Sequence, residues 1–284
     1  MSVVSRLSAL RVLPLLIVIA VPAILVGCAD SKDVYVERPV ETLYNAAMDD
    51  LINENYAKSA KEFDEVERQH PYSVWASKAQ LMAAYAHYQH NKFDDAISSL
   101  DRFIQLHPSH KDVAYAYYLK AICYYEQIAD VQRDQKGTDD AMKALQEVVT
   151  RFPSTAYASD AKFKIDLARD HLAGHEMVIG RWYQGQQLYA AAIGRFQRVV
   201  DDYQTTNHVP EALHRLTEVY LTLGLKEQAR KTASVLGYNY PGSQWYEDSW
   251  NDLVDDSLVN EPGASTVGTP PPRGFFSRAW HSVF

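Results

Sequence analysis

The chain lacks the sequence signatures of the common enzymes and nucleic-acid-binding proteins. It has 2 cysteines and 12 glycines among 284 residues, and it contains no glycine-rich phosphate loop, nucleophile elbow or paired-cysteine motif. Acidic residues outnumber basic ones by 36 to 28, so nucleic acid is not expected as a partner. His171 and His175 lie one helical turn apart, but no further ligands accompany them, and surface or capping roles are favoured over a metal site. We expect no catalytic residues, no metal and no cofactor.

The N-terminal segment has the features of a bacterial lipoprotein signal. Arg6 and Arg11 make its start positive, and the residues from Val12 to Val26 are apolar without a charge. Two prolines interrupt this run, which argues against a membrane-spanning helix. The run closes on Leu25-Val26-Gly27-Cys28, a lipobox. We therefore expect cleavage before Cys28 and attachment of lipid to its sulfur.

Lipidation of Cys28 has consequences for the rest of the chain. Residues 1–27 would be the signal peptide, and residues 28–40 would be a lipidated tether. Ala29 follows the cysteine, whereas an aspartate there favours retention in the inner membrane of Gram-negative bacteria, so we expect a lipid anchor in the outer membrane with the protein facing the periplasm. Because Cys28 would carry lipid, Cys123 has no disulfide partner and is expected to be a small buried core residue.

A recurring phrase with proline marks internal repeats. Its copies are His70-Pro71, His107-Pro108, Phe152-Pro153 and Tyr240-Pro241, with Tyr203-Gln204 as a degenerate copy. A small residue precedes each of the first three prolines by twelve positions, and a bulky apolar residue follows it four positions later, as closely crossing helices require. These pairs are Ser59 with Phe63, Ala96 with Leu100, and Ala141 with Leu145; Ala192 with Phe196 repeats the pattern, and Gln228 is its weakest copy.

The pattern resembles the tetratricopeptide repeat, in which helix pairs bury a face only by stacking on their neighbours. We therefore predict an all-α protein, a tetratricopeptide-repeat α-solenoid of about five helix pairs within residues 41–256. The predicted copies are residues 41–71, 76–108, 111–153, 157–204 and 208–241. The third copy has extra residues between Asp130 and Thr138, which read as a loop. The fourth has a longer first helix, over residues 157–184.

The first helix of each pair lines the concave side in such repeats. The positions that face inward by the usual phase of the repeat are Tyr44, Leu81, Tyr85, Tyr88, Tyr115, Tyr118 and Tyr125. Tyrosine rings give a large contact area at low entropy cost, and their hydroxyls can meet an extended backbone. These residues predict a peptide-binding groove; the alternative is that several of the rings belong to the core between repeats.

Residues 257–284 differ in composition from the repeats. Prolines and glycines in residues 262–272 indicate a flexible linker. The apolar residues that follow fall on one side of a short amphipathic helix, and its docking residues would be Phe275, Phe276, Trp280 and Phe284. A groove on a partner subunit is the favoured docking site, followed by the chain's own concave groove and then the membrane, with a disordered tail as the alternative.

The lipobox, the five helix pairs, the insertion in copy three and the long helix in copy four together resemble the BamD family, lipoproteins of the outer-membrane β-barrel assembly machine. The resemblance covers residues 28 to about 245. It implies a non-enzymatic scaffold that binds a periplasmic POTRA domain of the barrel subunit BamA through its C-terminal repeats, associates with other assembly lipoproteins, and helps to receive unfolded outer-membrane protein clients through its N-terminal repeats.

One site residue follows from this resemblance. Arg195, in Ala192-Ile193-Gly194-Arg195-Phe196, matches the family's arginine in repeat four at the BamA interface. Gln204 departs from the family pattern, which has a proline there. Two other functions remain open: a periplasmic tetratricopeptide adaptor that regulates cell-wall synthesis or division enzymes, and a lipid-anchored enzyme on a helical scaffold.

Overall fold

The computed structural model describes residues 37–256. Residues 37–39 belong to a separate unit, Met1–Pro39, and are not helical. The unit that begins at Val40 contains eleven α-helices and no strand within the described range. They are α1 (Val40–Ile52), α2 (Tyr56–Gln69), α3 (Val74–Gln89), α4 (Phe93–Leu106), α5 (Val113–Tyr125), α6 (Lys136–Arg151), α7 (Ala156–Gly185), α8 (Tyr189–Asp202), α9 (Val209–Thr222), α10 (Lys226–Asn239) and α11 (Gln244–Asp255).

The helices pack as consecutive pairs, from α1 with α2 to α9 with α10, and α11 follows as an eleventh helix that packs on α9 and α10. The first helices of neighbouring pairs also contact one another: α1 contacts α3, α3 contacts α5, and α5 contacts α7. A helix pair of this kind buries its apolar face only against the next pair. The predicted all-α tetratricopeptide-repeat fold is confirmed.

The proline phrases act as stop and start signals between pairs. His70, Phe152 and Tyr240 are each the C-cap of a second helix, and their backbone N–H groups donate to the carbonyl four residues earlier. The proline that follows has no N–H group and cannot continue the helix. Ser73 and Ser243 then cap the next helix by accepting hydrogen bonds from backbone N–H groups.

Short turns join the two helices within four of the pairs. Each of these turns contains one residue with positive φ, namely Glu54, Asn91, Gln187 and Gly224. The backbone N–H of the following residue reaches a carbonyl five positions back, as from Leu188 to Tyr183, 2.9 Å. This hydrogen bond is typical of the motif in which a residue in the left-handed conformation ends a helix and reverses the chain.

The third pair has a long connection instead, because α6 begins at Lys136. Two histidines of α7 hold this loop: the ring of His171 donates to the carbonyl of Ala129 at 2.9 Å, and the ring of His175 to that of Val131 at 2.5 Å. The predicted long helix of copy four is α7, which has 30 residues. Both histidines therefore fix a loop.

The core lies where helices cross. The small residues Ser59, Ala96, Ala141 and Ala192 are all fully buried, as are the bulky residues Phe63, Leu100, Leu145 and Phe196 that follow them. In the fifth pair the buried small residue is Ala229, while Gln228 is exposed, so the sequence interpretation was wrong by one position. Gly180 of α7 permits a still closer approach, because a Cβ there would lie 2.5 Å from the ring of Phe196. Cys123 is also buried.

Candidate functional site

Arg195 lies on α8 at the junction with the long helix α7. Its Nη1 donates to Oε2 of Glu176 at 2.9 Å, and Nη1 of Arg198 donates to Oε1 of the same carboxylate at 3.0 Å. The Glu176 side chain is 8% exposed, against 34% for Arg195 and 54% for Arg198. Two guanidinium groups thus share one buried carboxylate at the surface of the fourth repeat.

The cluster combines two guanidinium groups with two carboxylates, Glu176 and the exposed Asp202, which lies 3.9 Å from Arg198. The hydrogen bond with Glu176 raises the pKa of Arg198. A guanidinium carries five N–H donors, and the hydrogen bond described for Arg195 uses one of them. The remaining donors face a partly open environment, where they can bind a partner's carboxylate in a forked geometry.

A second polar network connects the first helices of the last two pairs. Arg181 donates to Glu211 at 2.8 Å, and Gln184 donates to Glu218 at 3.1 Å, which ties α7 to α9. Arg215 of α9 also donates to Glu218, at 2.8 Å. The C-terminal pairs are therefore linked by charged and amide side chains, in contrast with the tyrosines of the N-terminal pairs.

His214 connects α9 to α11. Its buried ring lies 2.9 Å from Ser249 Oγ through Nδ1 and 3.6 Å from Glu218 through Nε2, and it packs 5.3 Å from the ring of Trp245. Burial raises the pKa of Asp252, which lies 4.0 Å from Nδ1. Ligand atoms of His214, Glu218 and Asp252 come within 4.8 Å of one another. The two carboxylates approach opposite nitrogens of the ring, and the hydrogen bond to Ser249 ties α9 to α11. We call this arrangement the clamp around His214.

The predicted groove residues of the first two pairs pack on the core beside them. Tyr44 lies 5.4 Å from Phe63 and 4.8 Å from Trp75, measured between ring centroids. Leu81 is buried in the apolar cluster of the second pair, and Tyr85 and Tyr88 are half-buried against that cluster.

The predicted groove residues of the third pair meet the start of α7. Tyr115 and Tyr118 lie 5.7 Å and 5.1 Å from the ring of Tyr157, and the Tyr118 hydroxyl donates to Asp160 at 2.6 Å. Burial raises the pKa of Tyr118, and the hydrogen bond to Asp160 raises it further. Tyr125 lies beneath Lys164, with the ammonium 4.9 Å from the ring centre. Tyr115, Tyr118 and Tyr125 are each half-buried against α7. The peptide groove stays a prediction.

Other predicted positions lie outside the described residues. These are Cys28 and the tail residues Phe275, Phe276, Trp280 and Phe284. Between residues 37 and 256, none of the helices combines the length and the apolar character that crossing a bilayer would require.

Sequence reasoning missed Glu176, Arg198 and the clamp around His214. Glu176 is one of four acidic residues on the long helix α7, and no local motif indicates that it is the buried one. Its partners are 19 and 22 positions away on another helix. The carboxylate of Glu176 meets Arg195 and Arg198 only because of the orientation of α7 about its own axis in the packed structure.

The fold defines the chain as a helical-repeat protein built from successive helix pairs. Residues 36–236 match the model of the family described as YfiO, outer membrane lipoprotein. The chain is 51% identical to outer membrane protein assembly factor BamD of Caulobacter vibrioides, over 84% of this chain and 80% of that protein. It is 47% identical to the protein of that name from Rickettsia prowazekii, over 78% and 89% of the two chains.

The chain therefore belongs to the YfiO family, and curated relatives in it carry the name BamD. The resemblance found in the sequence is confirmed. Among solved structures, the MamA protein aligns with 78% of this chain and 96% of its own at a TM-score of 0.36 and 14% identity, a likeness too low to support an argument.

Proposed function

We propose that this chain is a non-enzymatic scaffold of the outer-membrane β-barrel assembly machine. The observation that carries the proposal is the 51% identity to an outer membrane protein assembly factor over 84% of the chain. In this role the protein holds partners by its surfaces, and the described side chains supply two such surfaces, one aromatic and one charged. The rival role as an adaptor for cell-wall enzymes has no comparable support.

The charged surface suits the barrel subunit. Arg198 is paired with the buried carboxylate of Glu176 and with the exposed Asp202, 3.9 Å away, whereas Arg195 is paired with Glu176 and keeps further N–H donors. A POTRA domain of BamA that presents a carboxylate would bind these donors of Arg195, and complementary charges steer association and fix orientation. The C-terminal pairs would then bind BamA, with other assembly lipoproteins as further partners.

The aromatic surface suits unfolded clients. Half-buried tyrosines on the first helices of pairs one to three offer rigid apolar area with polar rims, which favours extended peptides. Lipid on Cys28 would hold the scaffold on the periplasmic face of the outer membrane, where two or more acyl chains give a stable anchor. The clients, the barrel subunit and the anchor would then meet at one membrane.

The test compares Arg195→Gln with Arg198→Gln. Glutamine is the cleaner probe at these positions, because a carboxylate at position 195 would lie beside Glu176. We expect Arg195→Gln to weaken capture of the BamA periplasmic domain about tenfold, as loss of a charged interface pair does, while Arg198→Gln retains capture. Thermal melts check that both variants fold. Equal capture by both variants and the parent chain would remove Arg195 from the interface.

A further inference from the structure

The last two helix pairs expose apolar side chains at one edge. Trp182 lies in the last turn of α7, Leu188 is the N-cap of α8, Leu223 is the C-cap of α9, and Leu225 is the N-cap of α10. These four residues, here called the apolar edge, are between 41% and 58% exposed. Large apolar side chains grouped on a surface often mark a docking site.

Contacts between α7 and α9 place the two turns on the same side. Arg181 reaches Glu211, and Gln184 reaches Glu218, so the helices run in the same direction with their C-terminal ends together. The turn after α7 and the turn after α9 therefore lie at the same edge of the stacked pairs.

The described chain ends at this edge. Asp256, the C-cap of α11, lies 3.6 Å through its carboxylate from the ammonium of Lys226, the first residue of α10. Lys226 directly follows Leu225. The residues after 256 therefore begin beside the apolar edge.

The sequence after this point ends in a segment with matching chemistry. Its apolar residues are Phe275, Phe276, Ala279, Trp280, Val283 and Phe284, which fall on one side of a helix. Residues 257–273 join it to α11, and a chain of that length spans roughly 20 to 25 Å on average. A tether of this reach gives the segment an effective concentration near millimolar at the edge.

The charges at this edge are mixed. Arg278 lies on the other side of the expected helix. The carboxylates of Glu227 and Asp256 border the apolar edge and are 73% and 43% exposed, and each has a cationic partner, Arg230 at 3.1 Å and Lys226 at 3.6 Å. Such exposed pairs are weak, so Arg278 can share these carboxylates in the docked orientation.

The geometry points to residues 274–284 of the same chain as the occupant of the apolar edge. The apolar side of the segment covers Trp182, Leu188, Leu223 and Leu225, and Arg278 faces the rim that Glu227 and Asp256 form. A helix of about ten residues is marginal alone in water, so the edge supplies the surface on which the segment folds. The C-terminal pairs thus carry a covalently tethered ligand at the edge where α8 and α10 begin.

The experiment places a photocrosslinking residue in the full chain within native membranes. Trp280→benzoylphenylalanine probes the apolar side of the segment, and Ser277→benzoylphenylalanine is the matched control on its other side. After irradiation, mass spectrometry identifies the joined peptides. We expect intramolecular crosslinks from position 280 to peptides that contain residues 182–188 or 223–225, about fivefold more abundant than from position 277.

A second pair of variants tests the edge itself. Leu223→Asp with Leu225→Asp should lower the yield from position 280 about fivefold. Ile52→Asp, at an exposed apolar residue that ends α1 in the first pair, should leave it unchanged. Crosslinks to a second copy, to another protein, to lipid or to the tyrosine-bearing helices would overturn the assignment, as would the absence of crosslinks or equal yields from both positions.

Discussion

Arg195 on α8 donates a hydrogen bond to the buried carboxylate of Glu176 on α7, with Nη1 and Oε2 2.9 Å apart. The bond neutralises a buried charge within the fourth repeat, and it leaves further N–H donors on a guanidinium side chain that is 34% exposed. A buried carboxylate without a partner is costly, so Glu176 holds the positive group at this surface.

Replacement of Glu176 should therefore destabilise the fold. Glu176→Gln removes the charge from both arginine hydrogen bonds, and we expect a loss of about 1 to 3 kcal/mol in the free energy of unfolding. Asp202→Asn is the matched control, because Asp202 is exposed and lies 3.9 Å from Arg198; it should change stability by less than about 0.5 kcal/mol. Urea unfolding measures both. Equal stability of the two variants would contradict the role given to Glu176.

The close approach of α7 and α8 predicts opposite effects for two glycines. Gly180→Ala should cost about 1 to 3 kcal/mol, because its Cβ would overlap the ring of Phe196. Gly194→Ala meets nothing within 4 Å, and it should stabilise α8 by about 0.5 to 1 kcal/mol through helix propensity. Thermal unfolding of both variants checks the pair. A stabilising Gly180→Ala would show that the helices are less tightly packed than the structure describes.

Burial predicts an inert thiol at Cys123. Burial raises the pKa of Cys123 from 9.0 to about 12, so the thiol stays protonated through pH 10. Above pH 9 the thiol ionises more readily in the unfolded chain than in the folded one. The contribution of Cys123 to the free energy of unfolding is therefore constant below pH 9 and falls as pH rises towards 12. In a Cys28→Ser chain, alkylation by iodoacetamide should stay slow from pH 7 to 10 and become fast in urea. Rapid alkylation of the folded chain at pH 8 would contradict the burial of Cys123.

The hydroxyl of Tyr118 offers a test of the aromatic surface. Tyr118→Phe removes the hydrogen bond to Asp160 but keeps the ring stacked on Tyr157. We expect a loss of about 1 kcal/mol in the free energy of unfolding. Crosslinking to peptides that copy the C-terminal strands of barrel proteins should fall only if the hydroxyl contacts them.

Removal of two rings is the stronger test. Tyr118→Ala with Tyr85→Ala should reduce crosslinking to these peptides strongly. Unchanged crosslinking by a destabilised double variant would assign the rings to the core between repeats.

Local chemistry made much of the fold predictable. The proline after His70 or Phe152 cannot continue the helix before it, and Ser73 or Thr155 then caps the next one. The register of the last pair was misjudged although the local spacing indicates it: Ala229 lies twelve positions before Pro241, and both Ala229 and Ala233 are buried.

The charged site was only partly predictable. Family resemblance indicated Arg195, but its partner Glu176 depends on how two helices are rotated against each other. The same holds for His214 and Ser249, which are 35 positions apart. The repeat phase indicated which side of the first helices carries tyrosines, whereas the depth of burial of each ring is set by the next pair.

The central claim is that this chain works within the outer-membrane β-barrel assembly machine. Affinity purification of the tagged full chain from solubilised outer membranes, with quantitative mass spectrometry, tests it most directly. The account predicts that the barrel subunit with POTRA domains is the most abundant co-purifying protein, and that Arg195→Gln lowers its recovery. Recovery of peptidoglycan synthases or hydrolases without the barrel subunit would contradict it.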